Sequence, residues 1–319
     1  MERNVNLALV IPAFKGRYFK EVLDSLAQQT CKSFNLYIGD DASPDDLNKI
    51  ISPYKADMNI IYKRFPENLG GKDLVAHWAR CINLTQDEEW IWLFSDDDVM
   101  DNTCVQNFYN CVNGRNDTDL LHFDINFINA TGHISKECNP FPEKLSVSNF
   151  FSRRIKFQLN SSVVEYIFRK SIYVEKKGFN NNDMAWCSDD ATWIKFGREK
   201  GIVTIPGSKV YWRISGDNIS SLNNDKSIVI RKVNSNIKHV KWVASYFLEH
   251  QLTDHTKPFD KVKWAVSTLV ITPALNFREK HKTLMTAVNE LGYVNTKLQA
   301  SIYLAYWEIK NFLLGFQKP

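Results

Sequence analysis

Trp90-Ile91-Trp92-Leu93-Phe94-Ser95-Asp96-Asp97-Asp98-Val99 is an apolar run that ends in three consecutive carboxylates. The run is short, unbroken and aromatic, as in a strand buried on both faces. Like charges at its end repel one another, and burying them is costly unless a cation or hydrogen bonds compensate. Mg2+ and Mn2+ take oxygen ligands and share a few carboxylates with substrate phosphates. The pattern predicts a strand that delivers a metal site to its carboxyl end. The plainer alternative is a solvated acidic turn.

Upstream, residues 7–11 form a compact apolar run closed by Pro12. Residues 18–29 place Phe19, Val22, Leu23 and Leu26 at helical spacing. A second strand is expected at 34–38, followed by the loop Gly39-Asp40-Asp41-Ala42-Ser43-Pro44. A helix at 47–54, a strand at 60–62, a loop at 66–71 and a helix at 73–82 complete the approach to Trp90. Strands that alternate with helices predict an α/β domain with a mostly parallel sheet flanked by helices. Ligands of such sheets gather beyond the carboxyl ends of the strands. Three of those ends carry Pro12-Ala13-Phe14, Asp40-Asp41 and the acidic triplet.

Downstream, a strand is expected at 120–128, an irregular stretch at 135–160 with Pro140 and Pro142, and a strand at 163–169. After a polar loop, Asp189-Asp190 opens a helix, a position that favours carboxylates. Short strands follow at 203–205 and 210–212. From about residue 225 the pattern becomes helical, with Val229, Val233, Ile237, Val240 and Ala244 in one stripe and a similar stripe at 298–313. The expected division is a catalytic domain at 1–221 and a helical C-terminal region at 222–319.

A net charge of +4 over 319 residues argues against nucleic acid as a partner. The excess is uneven. Residues 222–319 hold 14 Lys and Arg against 7 Asp and Glu, so the body is mildly acidic. A basic appendage suits an anionic membrane surface or simply a solvated helical face. The six cysteines, at 31, 81, 104, 111, 138 and 187, form no CxxC pair, which argues against zinc and for reduced thiols in the cytoplasm. The start of the chain reads as a first strand rather than a signal peptide. No run approaches the roughly 18 apolar residues of a spanning helix.

These motifs, in this order, resemble an inverting glycosyltransferase of family two with the Rossmann-like GT-A fold. Val10-Ile11-Pro12-Ala13-Phe14 resembles that family's first strand and turn, with Lys15 replacing its Asn. Ser25 to Thr30 resembles the close of its first helix. Asp40-Asp41-Ala42-Ser43 resembles its Asp-Asp-Gly-Ser loop, which implies that Asp41 contacts the base. Asn68-Leu69-Gly70 resembles its nucleotide loop. Ser95-Asp96-Asp97-Asp98 falls on its metal-binding motif, with Ser95 at the first acidic place. Asp96 and Asp98 are the expected metal ligands and Asp97 a donor contact, and which two carboxylates ligate stays open. Ser188-Asp189-Asp190 falls on the segment of the catalytic base, with Asp190 favoured over Asp189. Tyr211-Trp212-Arg213 resembles the strand that covers the diphosphate.

The resemblance implies transfer of a sugar from a nucleoside-diphosphate sugar, expected to be UDP-linked, to a hydroxyl of a glycan or lipid-linked acceptor in surface polysaccharide synthesis. Mn2+ or Mg2+ would neutralise the leaving diphosphate, Arg213 would add a planar donor fork to phosphate, and Asp190 would take the hydroxyl proton. Other readings stand beside it. Asp189 and Asp190 serve equally well as helix N-terminal carboxylates, and Asp41 as the acceptor of a turn. His77 and Trp78 read as packing residues. A sugar-nucleotide-binding scaffold, or a glycoside hydrolase using Asp98 and Asp190, are the competing functions. For the helical tail, docking at the inner membrane face, a homodimer and a role in the acceptor site all remain open.

Overall fold

The computed structural model describes residues 6–113, 117–216 and 218–313. The expected division takes in residues 1–5, 114–116, 217 and 314–319, which lie outside that description. Ten strands join one sheet among the described residues: β1 Leu7–Ala13, β2 Asn35–Asp40, β3 Asn59–Arg64, β4 Trp90–Leu93, β5 Val99–Met100, β6 Leu120–Ile128, β7 Ile134–Glu137, β8 Lys144–Leu145, β9 Tyr166–Arg169 and β10 Ile202–Arg213. The helices are α1 Phe19–Ala27, α2 Leu47–Ile51, α3 Leu74–Ile82, α4 Cys104–Val112, α5 Val147–Ile155, α6 Lys170–Glu175, α7 Ser188–Phe196, α8 Lys226–Glu249, α9 Pro258–Ala265, α10 Ser267–Ile271, α11 Phe277–Glu290 and α12 Lys297–Leu313.

The sheet runs β3-β2-β1-β4-β9-β6-β10-β5, with β7 beside β6 and β8 beside β10. β3, β2, β1 and β4 are parallel, and so are β6 and β10. β9 enters antiparallel between the two groups. All four residues of β4 are buried, as its unbroken apolar sequence requires. The predicted stripe of α1 is wholly buried. Asp73 caps α3 by accepting from Ala76 N at 2.9 Å, a contact worth about 1 kcal/mol.

The chain forms two compact units, residues 1–147 with 159–215, and residues 148–158 with 216–319. The stretch expected to be irregular at 135–160 holds two short strands and α5. The two prolines precede that helix rather than interrupt it, and Phe151 meets Phe247 edge-on within the second unit at 5.4 Å. The two short strands expected at 203–205 and 210–212 are one strand, β10. It is interrupted only by a register shift between Ile205 and Lys209, where Gly207 takes a φ of +82°.

In the second unit, Asp225 caps α8 by accepting from Ser227 N and Ile228 N at 2.7 and 3.1 Å. Val229, Val233, Ile237 and Val240 are buried, but Ala244 is exposed, and Val243 and Phe247 continue the stripe instead. α12 is helical as expected, yet of the 298–313 stripe only Ala300 and Leu304 are buried. No helix among the described residues is long and apolar enough to cross a membrane. All six cysteines are free thiols.

Candidate active site

The acidic turn after β4 is held by backbone and side-chain donors from three directions. Asp96 Oδ2 accepts from Phe14 N and Lys15 N, both at 2.7 Å. Asp98 Oδ1 accepts from Arg213 N and Oδ2 from Ser95 Oγ, both at 2.6 Å. Asp97 Oδ1 receives the weaker Ser95 Oγ contact at 3.2 Å. All three carboxylates are buried. Burial pushes the Asp96 carboxyl up to about 6, and the neighbouring Asp97 charge adds to it. Burial and Asp97 together raise Asp98 well above the carboxylate range. Asp97 is also raised by burial, against the pull of Lys15 and Arg213. The internal donors of the turn therefore do not fully offset the cost of burying three charged carboxylates.

Arg213 does not reach outward. Its side chain is fully buried, Nε donates to the Asp97 carbonyl at 2.7 Å, and Nη2 donates to Glu21 Oε2 at 2.7 Å. The guanidinium carbon lies 4.4 Å from the Tyr18 ring centroid. These internal partners occupy the guanidinium that the sequence assigns to phosphate.

The ends of β1 and β2 meet beside this turn. Pro12 lies opposite Gly39 in the parallel register, and Asp41 N donates to Ala13 O at 2.8 Å. Ser43 Oγ donates to Phe14 O at 2.6 Å, and the Phe14 ring is partly exposed. Asp40 is buried and accepts from Tyr62 and Arg64 at 2.5 and 2.8 Å, a structural use. Asp41 accepts from Leu69 N and Gly70 N at 2.8 Å each, and from Arg80. A Cβ at position 70 would stand 2.7 Å from Asp41 Oδ2, so only glycine permits this approach. Asn68 Oδ1 closes the same loop by accepting from Gly71 N at 2.6 Å.

Two supports of Asp41 escaped the sequence reading as site residues. Arg80 lies with its guanidinium 3.9 Å from the Phe65 ring centroid and donates from Nε to His77 Nδ1 at 2.9 Å. His77 is buried, as a packing residue should be, and burial pushes its pKa down to about 4. The clue in the sequence was helical spacing, since positions 77 and 80 share a face of α3.

Asp189 and Asp190 occupy the first turn of α7, with Asp190 buried and Asp189 partly exposed. The approach to this helix is strained. Met184, Ala185 and Cys187 all hold left-handed φ angles of 57°, 55° and 61°. Each such residue costs about 1 kcal/mol or more, and no residue type there announced it. Asn181 Nδ2 donates to both Asp73 carboxylate oxygens at 3.0 and 3.2 Å, tying this loop to the cap of α3 just beyond Gly70. Hydrogen bonds thus link the ends of β1 and β2, the 68–71 loop, and the approach to α7 in one series.

The family model of glycosyl transferase family 2 matches residues 8–173, more than half of the chain. The chain belongs to this family. It is a glycosyltransferase, and the α/β GT-A architecture expected from the sequence is the one found. No curated protein matches it by sequence. Among solved structures, the fold is similar to Staphylococcus aureus TarS 1-349 in complex with UDP-GlcNAc. The two share 15% identity at a TM-score of 0.56, over 97% of this chain and 92% of that one. It is similar as well to the mannosyltransferase PcManGT from Pyrobaculum calidifontis in complex with GDP-Man and Mn2+. There the identity is 13% and the TM-score 0.55, over 98% and 81% of the two chains. At these identities the likeness is one of fold.

Within this family-two glycosyltransferase, no group of three or more His, Cys, Asp or Glu among the described residues is arranged to enclose a metal ion. The donor chemistry nevertheless fits a hard divalent cation. Asp98 has both oxygens engaged by internal donors, whereas Asp96 uses one oxygen for two backbone N–H groups. Asp97 accepts from Ser95 and Ser215, so Asp96 keeps the most acceptor capacity, and ions of this class complete their shell with water and substrate phosphate.

Proposed function

We propose that this glycosyltransferase moves a sugar, with inversion, from a UDP-sugar to a hydroxyl of a glycan or lipid-linked acceptor in surface polysaccharide synthesis. The observation that carries the reading is the cluster of three buried carboxylates at the end of β4, beside the ends of β1 and β2. Nucleotide-sugar donors in the two fold neighbours support it, as does the Mn2+ of one of them.

Asp96, with Asp97 or Asp98 beside it, would hold Mg2+ or Mn2+, which would supply Lewis-acid neutralisation of a leaving diphosphate. The loop pinned by Asp41 and Asn68 positions the nucleoside, with Pro12, Ala13, Phe14 and Gly70 forming the wall. Asp190 accepts the proton of the acceptor hydroxyl as its oxygen bonds to the anomeric carbon. The bond from that carbon to the diphosphate oxygen breaks on the opposite face, and UDP departs with the electron pair. Asp98 organises the turn from inside, and Asp189 shares the helix start.

A thermal-shift screen of nucleoside diphosphates and their sugars, with and without Mn2+, tests the donor. A bound donor stabilises the native state by an amount that grows with the logarithm of its concentration over Kd. UDP and its sugars with Mn2+ should raise Tm most, and a larger shift with a guanosine donor would overturn the choice of base. Asp96→Asn should abolish both the Mn2+-dependent shift and transfer. Sugar release to water that persists in EDTA would point instead to the hydrolase reading.

A further inference from the structure

α12 is apolar on both of its faces. Ala300 and Leu304 pack into the core of the helical unit with Val233, Leu269 and Leu284. The opposite face carries Leu298, Ile302, Tyr306, Ile309, Phe312 and Leu313, exposed by 57% to 85%. At 100° per residue these six cover an arc of about 120° with no charged residue inside it. A second apolar face, on a helix whose first face already packs into a core, suits contact with lipid or a partner.

The charges around this arc identify the occupant. Lys310 borders one side, and beyond the other lie Glu308 and then Lys297, with Lys310 Nζ 4.6 Å from the Trp307 ring centroid. The single carboxylate of α12, Glu308, is bound by Lys280 at 2.6 Å. The region from residue 222 onward holds 14 basic against 7 acidic side chains. Apolar and aromatic residues flanked by lysines suit the boundary of an anionic bilayer. A second copy fits less well. Seventeen residues make a helix of about 26 Å, too short for one pair to bury the roughly 1,200 Å2 of a stable dimer. The arc is also wider than the narrow seam of a helix pair.

We propose that α12 lies on an anionic lipid surface, its exposed face in the headgroup boundary. The proposal stands on the helical unit alone and does not depend on the donor, the acceptor or the catalytic base. Flotation of the full chain with vesicles tests it, using phosphatidylcholine with phosphatidylglycerol against phosphatidylcholine alone, at low and high salt. The protein should float with the anionic vesicles, and less so at high salt. Paired Ile302→Ser and Ile309→Ser substitutions should lower partitioning about tenfold or more. Lys297→Gln with Lys310→Gln should weaken it selectively on anionic vesicles. Circular dichroism and Tm confirm that each variant is folded. Failure to float with either vesicle overturns the proposal. So does a concentration-dependent dimer, seen by sedimentation, that the serine pair abolishes while flotation stays unchanged.

Discussion

The backbone N–H of Arg213 donates to Asp98 Oδ1 at 2.6 Å, and Arg213 Nε donates to the Asp97 carbonyl at 2.7 Å. One residue at the end of β10 thus fastens two neighbouring residues of the acidic turn that follows β4. The guanidinium also brings a buried positive charge beside the turn, which opposes the rise in the Asp97 pKa. In this fold the residue assigned by its sequence to phosphate braces the acidic turn.

Arg213→Lys should therefore act on stability before it acts on catalysis. A lysine cannot reproduce the fork that joins Asp97 O to Glu21, and it leaves buried acceptors unpaired. The expected loss is roughly 3 kcal/mol by urea denaturation, the lower end for breaking a buried charge pair, because Glu21 is half exposed. The donor KM of the folded fraction should change little. A large rise in donor KM at unchanged Tm would return Arg213 to the phosphate.

Asp190 and Asp189 separate by the same logic. Asp190→Asn should lower kcat by about 10²- to 10⁴-fold, the usual worth of a positioned base. Asp189→Asn should leave kcat within a small factor. Each loses one favourable charge at the start of α7, about 0.3–1 kcal/mol, so neither should shift Tm much. Equal kcat values for both variants and the parent would remove the base from this helix.

The parallel half of the sheet was legible because its signals are local. β1 and β4 are unbroken apolar runs, and α1 and α3 show their buried faces at helical spacing. The break in β10 was illegible as a bulge, since Pro206-Gly207 looks the same at a turn between two strands. α5 was hidden because its apolar residues pack against a helix more than ninety residues away. The carboxylates were legible as a cluster, but the use of each was not. Asp98 and Asp40 differ from Asp97 and Asp41 only in which donors the fold brings to them.

Ala42 holds the place of glycine in the family's Asp-Asp-Gly-Ser loop and takes a left-handed φ of 55°. Alanine is strained there, and glycine is not. Ala42→Gly should raise stability by about 0.5–1 kcal/mol, strain relief exceeding the extra entropy of the unfolded chain. Urea denaturation would read this directly. A loss of stability on substitution would mean that the Ala42 methyl makes contacts that outweigh its backbone strain.

Acid sensitivity should trace in part to His122. The ring is fully buried, stacked on Phe141 at 3.8 Å and tilted against Tyr166 at 4.9 Å, and neither nitrogen meets a hydrogen-bonding group of the protein. Burial lowers its pKa to about 3. The unfolded chain takes up a proton near pH 6.5 that the folded chain refuses until near pH 3. Stability from this group is complete above 6.5 and is lost as pH falls through that window, at about 1.4 kcal/mol per pH unit. His77 acts in the same direction down to about 4. His122→Phe keeps a flat ring and removes the titration, so its stability relative to the parent should grow by about 2 kcal/mol between pH 8 and pH 5. Urea denaturation of both proteins at the two pH values measures the difference, and because both chains share every other titrating group, those groups cancel. A constant difference across that range would show that His122 does not titrate between the folded and unfolded states.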